Sequence, residues 1–138
     1  MKKDLTPLFL GGQATIKDAM QTITQAARQG LPIGIALMVD KRKRLIGAVT
    51  DGDIRKALVG GAALGTPVRG IMAKDPITVP EGLGVDAMIR TMMDKVKASG
   101  RFRDFKVNQI LVVGKDRKVV DIFDFHDLWH KHGESLSD

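Results

Sequence analysis

The chain has 138 residues and no cysteine, with 22 basic against 16 acidic side chains, a net charge of +6. The length suits one compact domain or two half-size units sharing a core, not a multidomain enzyme. With 43% apolar and 28% charged residues the composition excludes global disorder, and without cysteine there is no disulfide framework, thiolate nucleophile or cysteine-ligated zinc.

No membrane or export segment is expected. The most apolar stretch, Leu31 to Val39, is far short of the ~20 residues a spanning helix needs, and it contains Pro32 and Gly34. Met1-Lys2-Lys3 imitates a signal start, but Thr6 and Pro7 break the apolar patch after it. A cytoplasmic location is the expectation. Residues 1–66 carry +5 of the charge and residues 67–138 carry +1, a bias that suits an anionic partner.

In chain order, the first expected helix opens at Thr15, an N-cap with Asp18 three residues on, and carries an apolar stripe of Ile16, Ala19, Met20, Ile23 and Ala27. Two apolar runs come next, Ile35 to Val39 and Leu45 to Val49, separated by the charged turn Asp40 to Arg44. Near-continuous apolar runs predict strands buried on both faces. A short helix is expected over Gly52 to Val59, then a Gly- and Pro-containing loop from Gly60 to Pro67.

The pattern then repeats. Asp18-Ala19-Met20 recurs as Asp86-Ala87-Met88, an offset of 68, within a second helix whose stripe is Val85, Met88, Ile89, Met92, Met93 and Val96 and which Gly100 can stop. Strands are expected at Ile110 to Val113 and Val119 to Phe123, around the turn Gly114 to Lys118. Val39 matches Val113 at an offset of 74, which puts six extra residues between helix and strand, within Lys97 to Val107. A last helix is expected from His126 to about His132. The expected organisation is a mixed α/β (α+β) pair of strand–helix–strand–strand–helix units: 8–60, a linker 61–70, 71–132, and a tail 133–138. Units of about 60 residues are marginal alone, so pseudo-two-fold packing with a cleft between them is expected.

The strongest local signal is Gly47-Ala48-Val49-Thr50-Asp51-Gly52-Asp53-Ile54-Arg55, a buried strand running straight into a helix. The first amides of such a helix lack internal partners and favour anions. Gly47 and Gly52 would let a ligand approach the backbone, Thr50 offers a hydroxyl to a phosphate, Asp53 can accept bonds from ribose hydroxyls, and Arg55 and Lys56 add positive charge. A simple capping box explains Thr50 and Asp53 equally well.

The repeated strand–T-x-x-D–helix unit, joined by Ile71-Met72-Ala73-Lys74-Asp75-Pro76-Ile77-Thr78-Val79, resembles a tandem pair of CBS domains. The string Val49-Thr50-Asp51-Gly52-Asp53-Ile54-Arg55 is most similar to the pairs attached to sugar-phosphate isomerases and sugar-phosphate nucleotidyltransferases. The resemblance implies a regulatory, allosteric module that binds an adenine nucleotide (AMP, ADP or ATP) between its units, with magnesium left open, and controls an associated enzyme in cis or trans. It implies that Asp53 holds the ribose diol and Thr50 the ribose–phosphate side, while residues near Val49 and the segment Pro76-Ile77-Thr78 sandwich the base. It also implies a homodimer with helices at the interface. The alternative is a ligand-free structural dimerisation module.

The second copy departs from the motif: at offset 74, Gly47, Thr50 and Asp53 become Asp121, Asp124 and Asp127. Acids where a phosphate needs donors repel it, so one competent site is expected, with Asp124 as an N-cap. Lys97, Arg101, Arg103 and Lys106 either reach a phosphate tail or a partner subunit, or form a solvated loop. Lys41-Arg42-Lys43-Arg44 reads as an exposed hairpin turn, and without aromatics to stack bases nucleic-acid contact is disfavoured. His126 and His130 with Asp127 have zinc-compatible spacing but no well-placed third ligand, so no metal site is expected, and Leu128 and Trp129 read as packing anchors. No catalytic constellation or P-loop is visible, so no catalytic residue is assigned.

Overall fold

The computed structural model describes residues 4–32, 34–99 and 109–124. Its contacts divide the chain into two compact units, the first running to Pro76 and the second beginning at Ile77. Each contains a three-stranded sheet in which a short edge strand runs parallel to the middle strand and the third returns antiparallel.

In the first unit a one-turn 3-10 helix, Thr6–Leu8, feeds β1 (Phe9–Leu10), followed by α1 (Ile16–Arg28), β2 (Ile35–Val39), β3 (Leu45–Thr50) and α2 (Asp51–Val59). All five residues of β2 are buried, as an apolar run without alternation predicts. The helix-side core joins Leu10, Ala36, Met38 and Val49 of the sheet to Ile16, Ala19, Ile23 and Ile54 of the helices. Only part of the expected α1 stripe enters this core: Met20 is 40% exposed. Both helices end alike. Gly30 and Gly61 take positive φ just beyond the last turn, and the next amides, Leu31 and Ala62, bond back to Ala26 and Ala57. That ending needs a residue without a Cβ penalty.

The segment after α2 packs on this unit. The Leu64 and Thr66 carbonyls accept from the Lys17 and Ile16 amides at the start of α1, and Val68, in a second 3-10 turn (Val68–Gly70), is fully buried. Ala73 exchanges both backbone hydrogen bonds with Ala48, closing the outer edge of β3. Residues 71–76, which the junction motif assigns to the second repeat, thus lie with the first unit.

The second unit contains β4 (Thr78–Pro80), α3 (Val85–Ala98), β5 (Gln109–Val113) and β6 (Val119–Asp124). Its core joins Val79, Ile110 and Val112 to Met88, Ile89 and Met92. Val85, expected in the stripe, is 40% exposed. The Lys95 ammonium ties α3 to the edge strand by donating to the Thr78 carbonyl at 2.5 Å. The expected helix at 126–132, with its histidines, Leu128 and Trp129, lies outside the described residues, as do residues 100–107 of the insertion.

The duplication extends to fine detail. Ile35 pairs with Thr50, and 74 residues later Gln109 pairs with Asp124; the register slips between Met38 and Val39 and again between Val112 and Val113. For the first strand and helix the offset is 69, not the 68 suggested by the Asp-Ala-Met triplet. Phe9 lies opposite Leu37 and Thr78 opposite Leu111, and the helix N-caps are Thr15 and Gly84. The insertion before β5 is therefore five residues, not six.

Candidate functional site

The sheet of the first unit delivers Thr50 to the mouth of α2. Thr50 is still extended, with φ −110° and ψ 165°, so its side chain turns over the first helical amides. Its Oγ1 accepts from the Asp53 amide at 3.2 Å, while Asp53 Oδ2 accepts from the Thr50 amide at 2.9 Å. This reciprocal box engages one carboxylate oxygen of Asp53 and leaves the Thr50 hydroxyl hydrogen available to donate.

An identical box stands at the start of α1, where Thr15 and Asp18 bond at 3.2 and 2.9 Å. Their surroundings differ. The α1 box is exposed, and linker carbonyls satisfy the two amides before Asp18, those of Ile16 and Lys17. The α2 box is part-buried at the end of a buried strand. There the Asp51 amide donates to the Gly34 carbonyl at 3.0 Å, and among the described residues no linker carbonyl covers Gly52. The α2 mouth also carries two carboxylates, Asp51 and Asp53, so it favours hydroxyl donors, and a phosphate there requires cations nearby.

The remaining residues singled out by sequence fall in distinct places. The Val49 side chain is 1% exposed and sits in the core, so it offers backbone rather than a surface to a base. Gly47 lies against the chain's own Met72 and Ala73. Arg55 turns into a groove of about 730 Å³ between α1 and α2, with Met20, Ile23, Arg28, Asp51 and Leu58. Pro76 closes the first unit, and Ile77 and Thr78 belong to the second, where Ile77 packs on the core and Thr78 begins β4. In that unit Asp121 is half-buried and its Oδ1 accepts from the Ile122 amide at 2.8 Å, while Asp124 ends β6 where Thr50 ends β3.

Sequence reasoning missed Pro7, Leu8 and Phe9. At the offset of 69 they correspond to Pro76, Ile77 and Thr78. Phe9 pairs in parallel with Leu37 while Ile35 pairs with Thr50, so the 3-10 turn before β1 lies at the Thr50 end of the same sheet. The signal was in the repeat, masked by the triplet that set the offset one residue short. Asp4 beside this turn is held below the ordinary carboxylate value by its bonds from Thr6. Among the described residues no group of three or more His, Asp or Glu could hold a metal, and no helix is long and apolar enough to cross a membrane.

Comparison with known proteins agrees with the duplication. The CBS domain family model matches residues 1–60 and 68–128. Arabinose 5-phosphate isomerase GutQ of Escherichia coli K12 is 36% identical over 87 residues, 62% of this chain and 26% of that protein. Arabinose 5-phosphate isomerase KpsF of Escherichia coli O6:H1 is 30% identical over 115 residues, 80% of this chain and 31% of that protein. The chain thus spans under a third of these relatives. Among solved structures, the CBS domain protein PAE2072 from Pyrobaculum aerophilum, complexed with AMP, superimposes with a TM-score of 0.70 at 22% identity, covering 95% of this chain and 89% of that one. The CBS domain pair of protein MJ0100, in complex with 5′-methylthioadenosine and S-adenosyl-L-methionine, gives 0.66 at 23% identity, covering 94% and 90%.

Proposed function

The chain belongs to the CBS-domain family as a tandem pair, and we propose that it is a regulatory module that binds an adenine nucleotide through Thr50 and Asp53 and acts by binding rather than by reaction. The observation that carries this reading is the half-buried Thr50–Asp53 box at the end of a buried strand, set against the exposed, linker-covered box at Thr15 and Asp18. Asp53 Oδ1 accepts from the ribose diol, and the Thr50 hydroxyl donates to the ribose–phosphate side. In this reading the Val49 backbone and Arg55 complete the site, with the Thr6–Leu8 turn at the same end of the sheet. Support comes from the AMP held by the Pyrobaculum relative and the adenosyl ligands of MJ0100.

The regulated partner is a sugar-phosphate-processing enzyme, in cis or in trans, as the isomerase relatives suggest, and the module works in the cytoplasm. Regulation needs the ligand to bind two arrangements of the module unequally, and couplings of about 1–3 kcal/mol are typical. Isothermal titration with AMP, ADP and ATP tests the reading. One of them binds, and Thr50→Ala combined with Asp53→Ala abolishes the heat; unchanged binding by the double variant removes the site assignment.

A structural dimerisation module is the second reading, favoured by the open groove between α1 and α2, whose apolar floor of Met20, Ile23 and Leu58 lies beside Asp51, Arg28 and Arg55. A second copy placed there can match Asp51 to the arginines of its partner. Light scattering that gives a dimer, with no stability change from any nucleotide, selects this reading over the first.

A further inference from the structure

The net charge of the chain is concentrated in two equivalent hairpin tips. Residues 40–44 carry +3 and residues 114–118 carry +2, so ten residues hold five of the six net charges. Both tips have the same backbone: the amide of the first residue donates to the carbonyl of the fifth, at 3.0 Å for Asp40 and Arg44 and 2.9 Å for Gly114 and Lys118. In each, the fourth residue is left-handed, Lys43 at φ 67° and Arg117 at φ 64°. Glycine or asparagine would hold that conformation with less strain. Both copies nevertheless place a cation there.

The carboxylates of the tips are turned to the turn itself. Asp40 Oδ1 accepts from the Arg42 and Arg44 amides, both at 2.9 Å, and Oδ2 from Arg44 Nε at 2.7 Å. Asp116 Oδ1 accepts from the Lys118 amide at 3.2 Å. Lys41, Arg42 and Lys43 remain exposed, with no ion pair among the described residues. The first tip is therefore a fixed turn that holds Asp40 and Arg44 to each other and presents Lys41, Arg42 and Lys43 outward, while in the second Lys118 lies 3.6 Å from Asp116.

From this arrangement we propose that the hairpin tips, led by Lys41, Arg42 and Lys43, are docking elements for an acidic polypeptide surface. Neither tip contains an aromatic residue on which bases could stack. The curated relatives hold the matched segment within a polypeptide more than three times its length, so a protein surface is the neighbour such a module meets. Charge complementarity of this kind acts on encounter rate and orientation, and weakens with salt. The proposal does not depend on nucleotide binding.

The test is titration of the intact chain with poly-L-glutamate, beside duplex DNA and phosphatidylserine vesicles of matched charge, at low and physiological salt. The variant Lys41→Glu/Arg42→Glu/Lys43→Glu is compared with Arg90→Glu/Lys97→Glu, two exposed cations on α3. Because all five positions are exposed, melting temperatures should match the parent and guard against misfolding. The expected result is polyglutamate binding that the tip variant weakens by about tenfold or more while the α3 variant stays within about twofold. Equal loss in both variants, or no binding by the parent, overturns the proposal. Tighter, tip-dependent binding of DNA or vesicles overturns the choice of occupant.

Discussion

Met72 lies over Gly47 in β3, so that a Cβ at position 47 would meet the Met72 sulfur, its Cε at 2.9 Å and the Ala73 carbonyl at 3.0 Å. The missing side chain makes room for the chain's own junction segment, which the Ala48–Ala73 pair holds against the strand. Gly47→Val should therefore destabilise the protein by about 1–3 kcal/mol through overpacking. Adding Met72→Ala should restore part of that loss, and urea midpoints of the three variants measure both effects. A neutral Gly47→Val would mean that the junction does not pack on β3.

The two capping boxes provide an internal control for the nucleotide site. Thr15→Ala and Thr50→Ala each remove the equivalent bond, the Asp amide to the Thr Oγ1, and each should cost about 0.5–2 kcal/mol of stability. In the proposed site only the Thr50 hydroxyl meets the ligand, so only Thr50→Ala should also weaken nucleotide binding. Thr50→Ser, which keeps the hydroxyl, should recover affinity. Titration calorimetry and chemical unfolding on the three variants separate capping from recognition.

Stability should also depend on pH in the acid range. Asp40 is held below the ordinary value of 3.8 chiefly by the Arg44 amide, Asp18 by the Thr15 amide, Asp116 by the Lys118 amide and Asp4 by Thr6. A lowered folded pKa means that the unfolded chain takes up the proton first. The associated stability is complete above the unfolded value and drains as the pH falls through the folded ones. The melting temperature should be flat from neutral pH down to about 5 and fall below about 4. Asp40→Asn should start lower at neutral pH and fall less steeply, because it loses the charge-assisted bonds and the proton linkage together. Thermal scans across this range measure both.

The hairpins were legible because their chemistry is local. An apolar run, a charged turn and a second apolar run fix two strands and their register, and the offset of 74 holds from Ile35 to Asp124. The helix offset was misread because α3 begins at Gly84, which supplies no side-chain cap to mark its start. Residue identity in the triplet then outweighed position. Periodicity identified the stripe of α1 but not which of its residues meet the sheet, and Met20 lies in the groove instead. The burial of Val68 and the pairing of Ala73 with Ala48 depend on residues far apart in sequence, so no local pattern announces them. Thr50 and Asp53 were legible as a pair, but what separates them from Thr15 and Asp18 is tertiary burial.

Stoichiometry tests the asymmetry between the units. At the place equivalent to Thr50 the second unit has Asp124, and at the place equivalent to Gly47 it has Asp121, whose Oδ1 already accepts from the Ile122 amide. A carboxylate in place of a hydroxyl repels a phosphate and offers it acceptors where a donor is needed. Titration should give one nucleotide per chain, with the heat lost on Thr50→Ala/Asp53→Ala. The same ligand at about 100 times its dissociation constant should add about 2.7 kcal/mol to stability, and that gain should disappear in the double variant. Asp124→Ala should leave both the stoichiometry and the ligand-induced gain intact. Two equivalents per chain, or loss of binding on Asp124→Ala, would mean that the acidic copy takes part in nucleotide recognition and that repulsion at Asp124 does not decide which half is competent.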